Sequence, residues 1–533
     1  MNLIFYTLYT VCGIYMLLNF KYDLQMFQQN SYRIKRYWKW LKPNLGSTWR
    51  IVDLAALFLL FSTLINPVGC AIIVAMLSLV KIIMILRRKS KKPLVFTRRV
   101  LRLYSVTAIL SIAAVGAVTL TVQPGATYWG SYSGSGIILG TIFLVCILSW
   151  GFVIVADMIL MPVERLINRH YVNDAKRILK SVRGLRVVGI TGSYGKTSTK
   201  HYLTHILSEE YDVLMTPGSY NTPMGVVRTI REMMKPYTQI FVCEMGAKQT
   251  GDIKEICDIV NPEMGIVTAV GPMHLESFKT IDNVRNTKFE LVDSLPSTGV
   301  AVINNDFPEI AGREVTNTEA IRYGVTNPDD CDYKAEHVSY TPEGTTFTVS
   351  GPDGFKMEVG TRLLGECNVS DLLAAIIIAL RLGVGTDKIR YAISTIEQVE
   401  HRLSIRKTPG GVTVIDDAFN SNPAGSRMAV EVLAQFNKTG KRIIVTPGMI
   451  ELGSEQERLN MELGKQIGQH VDIAIIVGRY NRESLVKGIM ATEFNKENLY
   501  EVGSFNEAQE VLGRIMRNGD TVLYENDLPD TFK

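Results

Sequence analysis

The stretch Gly189-Ile190-Thr191-Gly192-Ser193-Tyr194-Gly195-Lys196-Thr197-Ser198 narrows the possible folds more than any other part of the chain. An apolar, β-rich run (LRVVGIT) leads into it and a helix-patterned run (KTSTKHYLTHIL) leads out. Glycines between a strand and a helix let backbone N–H groups turn inward, and the helix N-terminus adds partial positive charge. Together these make a cradle for phosphate oxygens. In such a loop Gly192, Ser193, Tyr194, Gly195 and Ser198 shape the cradle, Lys196 reaches the terminal phosphates, and Thr197 supplies a hydroxyl for Mg²⁺. A strict GxxxxGK[ST] pattern would need glycine at 190, where Ile190 stands.

The first third of the chain reads differently. Lys plus Arg number 57 against 52 Asp plus Glu, a formal net charge of +5. Yet residues 1–103 hold 16 basic residues and only two acids, Asp23 and Asp53, which leaves the remainder net acidic. Five hydrophobic runs, Leu3–Phe20, Ile51–Ile65, Val68–Leu86, Tyr104–Val122 and Ile137–Met161, predict about five membrane spans. The basic residues cluster in the loops after the first and third runs. That bias predicts a multi-pass protein of the cytoplasmic (inner) membrane with its N-terminus outside and everything after Met161 in the cytoplasm. Gln25–Leu41 mixes Arg and Lys with Tyr37, Trp38 and Trp40, as an interfacial anchor touching membrane lipid does. Asp157 falls in the last run, near enough to its end to reach water. Basic charge confined to loops between apolar runs does not suit nucleic acid, and no such partner is expected. Seven cysteines with no CxxC pair exclude a disulfide scaffold.

From Leu185 onward, strand and helix patterns alternate, which predicts α/β architecture with a mostly parallel sheet. Short β-rich runs lie at Leu185–Thr191, Gln239–Met245, Met264–Gly271 and Val300–Asn304, while Tyr333–Val359 has hairpin signals and reads as an antiparallel insertion. A second alternation (Val412–Ile415, Arg442–Val445, Ile473–Val477, Thr521–Tyr524) predicts a smaller Rossmann-like domain. The expected organisation is a transmembrane region at 1–161, a linker helix at 162–184, a central nucleotide-binding domain at 185–409 and a C-terminal domain at 410–533.

Three further residues make sense beside a phosphate loop. Glu244 ends a strand (IFVCE), where an acid can hold Mg²⁺. His274 follows the next strand in GPMHLE, and Lys288 lies 14 residues beyond it on a helical run. With TGSYGKTST, SYNTPMGVVRTI, EMGAKQTGDI, LLGECNVSDLLAAI, EHRLSIR, IDDAFNSNPAGS and PGMIELGS, the chain from Arg186 to about Gly453 resembles the Mur ligases. It is most similar to the branch that adds D-alanyl-D-alanine to the peptidoglycan precursor.

The resemblance implies an ATP-dependent acid–amine ligase working through an acyl phosphate, with a P-loop central domain and a Rossmann-like C-terminal one. It implies Thr197 and Glu244 at one Mg²⁺, and His274 with a carbamylated Lys288 at another. It puts Asn368, Arg402 and Asp417 at the nucleotide, Asn221 and Thr222 beside the reacting groups, and Asn420, Asn422 and Glu451 where the amine enters. The chain also departs from the family. Membrane runs stand where the UDP-sugar-binding domain is expected. The adenine-site pattern HN-x-x-N reads Cys367-Asn368-Val369-Ser370-Asp371, and a basic turn near the C-terminus is replaced by Tyr524-Glu525-Asn526-Asp527. These departures favour a membrane-associated, lipid-linked carboxylate acceptor joined to an amino acid or dipeptide, with possible membrane-protein partners. The alternatives are plain D-Ala-D-Ala addition to UDP-muramoyl peptide, a poly-γ-glutamate-type polymerising ligase, and a catalytically silent nucleotide-binding scaffold.

Overall fold

The computed structural model describes residues 2–45, 53–57, 67–88, 92–121, 128–327, 330–341, 344–418, 422–436 and 440–527. Two compact units divide the chain, one ending at Arg169 and the other beginning at His170.

The first unit is helical: α1 (Asn2–Gln29), α2 (Ile34–Asn44), α3 (Pro67–Arg87), α4 (Arg98–Thr121), α5 (Tyr128–Ile147) and the start of α6 (Ser149–Ser181). Among the described residues, α4 alone is long and apolar enough to cross a membrane. The count is two if Gly136–Ile147 and Ser149–Ser181, which meet at a 70° bend, form one span. Of the about five spans expected, the described residues thus account for one or two. The run Ile137–Met161 breaks at this bend, next to Ser149, whose hydroxyl donates to the Asp23 carboxylate. Beyond the bend, α6 runs 33 residues through the expected boundary at 161, with Pro162 inside it. Much of Ile51–Ile65, the side chains at the start of the Leu3–Phe20 run, and those of residues 67–71 lie outside the described residues.

Polar contacts inside this bundle involve residues that hydropathy alone passes over. The Tyr15 hydroxyl donates to Asp53 at 2.5 Å, and Lys81 stands 3.4 Å from the same carboxylate, all three buried. The expected basic and aromatic segment is broken at Asn30–Arg33, where Ser31 and Tyr32 take positive φ. In α2, Tyr37 and Leu41 face inward while Lys35, Trp38, Lys39 and Lys42 are exposed. Asp157 pairs with Arg99 at 3.4 Å.

The second unit holds two sheets. The first has nine strands in the order β2-β3-β1-β4-β5-β6-β7-β8-β9. These are β1 (Arg186–Thr191), β2 (Val213–Met215), β3 (Ile240–Glu244), β4 (Met264–Val267), β5 (Val300–Asn304), β6 (Glu319–Gly324), β7 (Tyr333–Thr341), β8 (Gly344–Ser350) and β9 (Lys356–Thr361). In the order β2-β3-β1-β4-β5-β6-β7 neighbouring strands run parallel, and β8 is antiparallel to both β7 and β9. The hairpin-patterned segment is therefore no separate insertion but the far end of the same sheet. Central strands such as VAVIN in β5 are buried along their whole length, as a parallel sheet covered on both faces requires. One face carries α7 (Lys196–Leu207) and α8 (Glu366–Arg381). Residues 372–379 of α8 are all buried, so this helix is apolar nearly all round.

The second sheet has the order β10-β11-β15-β12-β13-β14, with β10 (Ser404–Lys407) antiparallel to β11 (Thr413–Asp417) and the rest parallel. Its other strands are β12 (Arg442–Thr446), β13 (Ile473–Val477), β14 (Leu499–Val502) and β15 (Thr521–Glu525). Because β10 belongs to this sheet, the C-terminal domain starts before the expected Gly410.

Candidate active site

In the first sheet β1 sits between β3 and β4, so the carboxyl ends of three adjacent strands open together, the usual ligand crevice of a parallel sheet. The loop after β1 turns through Gly192 (φ 154°) and Gly195 (φ 79°). A Cβ at Gly192 would collide with the Thr268 hydroxyl, and one at Gly195 with the Asp371 carboxyl, so both positions require glycine. Lys196, at the first turn of α7, points its ammonium back over the loop onto Gly192 O (2.8 Å) and Ser193 O (3.1 Å). Burial pulls its pKa down to about 8, with Glu244 opposing the fall. Residues 193–198 share one cleft with Met273, Arg402 and Asn422.

Glu244, at the end of β3 and level with Ile190 of β1, is the best-connected acid of this crevice. Thr197 Oγ1 donates to its Oε2 at 3.2 Å, Lys200 Nζ to the same oxygen at 2.9 Å, and Asn221 Nδ2 to Oε1 at 2.9 Å. Burial alone would raise the Glu244 pKa, but the Lys200 and Lys196 charges hold it below the usual carboxylate range. Among the described residues no three His, Cys, Asp or Glu side chains form a metal-holding group. The paired hard oxygens of Thr197 and Glu244 beside a phosphate cradle nonetheless suit Mg²⁺, which takes its remaining oxygens from phosphate and water. Lys288 is buried, and desolvation with the nearby Lys196 charge brings its pKa down to about 7. His274 takes a left-handed backbone (φ 53°), and its Nδ1 bonds the Glu451 carboxylate.

The family model of the Mur ligase middle domain matches residues 190–379, and that of the Mur ligase glutamate ligase domain matches 401–524. The chain carries two Mur ligase domains. Among relatives it is 28% identical to the UDP-N-acetylmuramoyl-tripeptide–D-alanyl-D-alanine ligase of Bacillus subtilis (strain 168), over 66% of this chain and 75% of that one. To the enzyme of that name from Escherichia coli (strain K12) it is 30% identical, over 55% and 65%. The crystal structure of a MurF ligase from Thermotoga maritima in complex with ADP superposes with a TM-score of 0.60 at 25% identity, covering 68% of this chain and 80% of that one. Against these three proteins the chain spans between 65 and 80% of the relative's length. Both matched domains are those of ATP-dependent amide ligases that use Mg²⁺, and the chain is an enzyme of that class. The two family models leave residues 1–189 unmatched.

Within the Mur ligase domains the predicted residues fall into three groups. Lys196, Thr197, Glu244 and Asn221 come together as described. Others are held in local structure: Thr222 caps the helix Pro223–Met233 by accepting from Gly225 N, and Asn422 does the same for Pro423–Gln435. Asn368 accepts from the Tyr202 hydroxyl at 2.6 Å and donates to Leu364 O at 2.7 Å. Asp417 accepts from Leu403 N, and burial with the Glu525 charge raises its pKa to about 7. Glu451, expected where the amine enters, sits at a positive-φ turn (φ 63°) with its carboxylate on the His274 ring. Asn420 lies outside the described residues.

Sequence reasoning missed Lys200, Asp371 and Gly271. Lys200 follows Lys196 by one helical turn, a spacing that places both on one face. Asp371, a departure from the family pattern, is buried, accepts from Thr199 Oγ1 at 3.0 Å and has its pKa raised by burial to about 8. Gly271 leaves room for the Tyr194 ring, which a Cβ there would strike.

Proposed function

We propose that this ligase adds D-alanyl-D-alanine to a UDP-N-acetylmuramoyl tripeptide, the reaction named for its relatives. The reading is carried by the gathering of Lys196, Thr197, Glu244 and Lys288 around one phosphate loop in a Mur ligase pair of domains. In this chemistry a carboxylate oxygen attacks the γ-phosphorus of ATP, the bond to the bridging oxygen breaks, and ADP leaves. The neutral amine then attacks the acyl carbon, the bond from that carbon to the phosphate oxygen breaks, and the amine nitrogen releases a proton.

Bringing a carboxylate to a triphosphate joins like charges, so the site must supply cations. Lys196 provides one from within the cradle. Thr197 and Glu244 would hold a Mg²⁺, which would supply further positive charge at the phosphate oxygens. Lys288, neutral in good part near pH 7, attacks CO₂ to form a carbamate with loss of a proton. A carbamate there would turn a buried amine into an anionic oxygen donor, which with His274 would hold a second Mg²⁺.

The helical unit before residue 170 holds the enzyme at the cytoplasmic membrane in this reading, with the ligase domains in the cytoplasm. Large apolar side chains exposed along α3 and α4 support it, among them Met76 (63%), Leu86 (66%), Ile109 (64%) and Leu120 (85%). The same observation favours a second reading, in which the acceptor is lipid-linked. Mass spectrometry of the UDP-sugar and lipid-linked pools, comparing wild type with Lys196→Ala, separates the two. UDP-muramoyl tripeptide accumulating in the variant supports D-Ala-D-Ala addition. A lipid-linked species lacking one amino acid or dipeptide supports the second reading and overturns the first.

A further inference from the structure

Lys200 has no place in the mechanism above, yet it is the most deeply buried cation of the site. Its side chain is 0% exposed and its Glu244 partner 2%. The ammonium cannot swing away freely, because it also donates to Gly218 O at 2.8 Å. An ionised carboxylate offers about four acceptor positions. In Glu244 three of them are taken: Lys200 and Thr197 fill Oε2, and Asn221 takes one position of Oε1. A divalent cation approaching Glu244 therefore meets a carboxylate whose charge is already matched by a fixed ammonium 2.9 Å away. In a buried setting such a neighbour repels the ion at short range.

We propose that Lys200 makes metal binding at Glu244 conditional on nucleotide. Paired with Lys200, Glu244 is too weak a ligand to hold a divalent cation alone. Phosphate oxygens delivered to the adjacent cradle supply the missing negative charge, so metal and nucleotide bind together. Lys200 acts through Glu244 and is a positioning residue, not a catalytic one. The anchor to Gly218 O also ties the segment that carries Asn221 to α7, so the carboxylate keeps one orientation. This inference rests on Glu244 being a metal ligand.

The test is Mn²⁺ binding to the full chain, read by electron paramagnetic resonance with and without ADP. Wild type should bind Mn²⁺ at this site weakly alone and at least about tenfold more tightly with ADP, given one fixed charge at this range. Lys200→Gln, which removes the charge but keeps a donor for Gly218 O, should bind Mn²⁺ without ADP at least about tenfold more tightly than wild type. Lys200→Arg, which keeps the charge, should behave as wild type does. Equal Mn²⁺ affinity in wild type with and without ADP overturns the proposal and needs no variant to fold. So does a Lys200→Gln protein that binds Mn²⁺ alone no better than wild type. If Glu244→Gln retains ADP-dependent Mn²⁺ binding, Glu244 is no ligand and the reading beneath the proposal fails instead.

Discussion

Asp371→Asn should stabilise the ligase domains, and the gain should grow with pH. The carboxyl packs against the Gly195 turn, accepts from Thr199 Oγ1 and is 5% exposed. Burial raises its pKa from an ordinary 3.8 to about 8. Between those values the folded chain holds a proton that the unfolded chain has lost, so wild-type stability falls as pH rises through this window. Asparagine keeps the acceptor for Thr199 and has no proton to lose. The difference between the two proteins should therefore widen by up to ~1.4 kcal/mol, or about tenfold in the opening equilibrium, per pH unit. From pH 5 to pH 7 the ratio of opening constants grows up to about a hundredfold. All five tryptophans precede residue 151, so none belongs to the unit that carries this site. The suitable assay is hydrogen exchange of the α8 amides, wild type against variant at each pH, where the ratio of rates gives the difference directly. A ratio that stays constant from pH 5 to pH 7 would refute the argument that Asp371 is neutral in the fold.

Three other outcomes are expected. Lys288→Ala should lose ATP turnover and recover part of it when a short carboxylate is added; full activity without addition would show that no carbamate is needed. Gly195→Ala should lower ADP affinity at least about tenfold, because the new methyl must displace Asp371 as well as adopt positive φ. Gly184→Ala is the strain-only comparison, since its φ is +70° but nothing lies within 4 Å; it should cost ~1–2 kcal/mol of stability and leave ADP binding unchanged.

What the sequence reveals of this molecule follows the range of the forces involved. The phosphate loop is legible because glycine at positive φ, a preceding strand and a following helix are all local. Glu244 is legible because it ends a strand beside that loop. The strands β2, β6, β10 and β14 escape notice because they are mostly half-buried or exposed and lack the continuous apolar run that marks central strands such as β3 and β5. Lys200 and Glu451 are visible as residues but not as partners, because the Lys200–Glu244 and Glu451–His274 contacts join distant parts of the chain. Asp53 and Lys81 escape for the opposite reason: a run dominated by Leu, Ile and Val averages a charged residue away. Their pairing across 28 residues shows that the average concealed a buried ion pair within the helical unit.

The order of strands in the two sheets carries one more consequence, for life at high local concentration. Each sheet has two outer strands, and an outer strand offers free ladder groups to any neighbouring chain. Here β2 is only three residues long, and β9 turns Lys356 and Glu358 outward. In the smaller sheet β10 ends in exposed Arg406 and Lys407, while β14 exposes Glu501. Every rim is thus too short or too charged to accept a stranger's strand. Crowded copies of this chain can therefore collide without zipping strand to strand, and each sheet stays with its own chain.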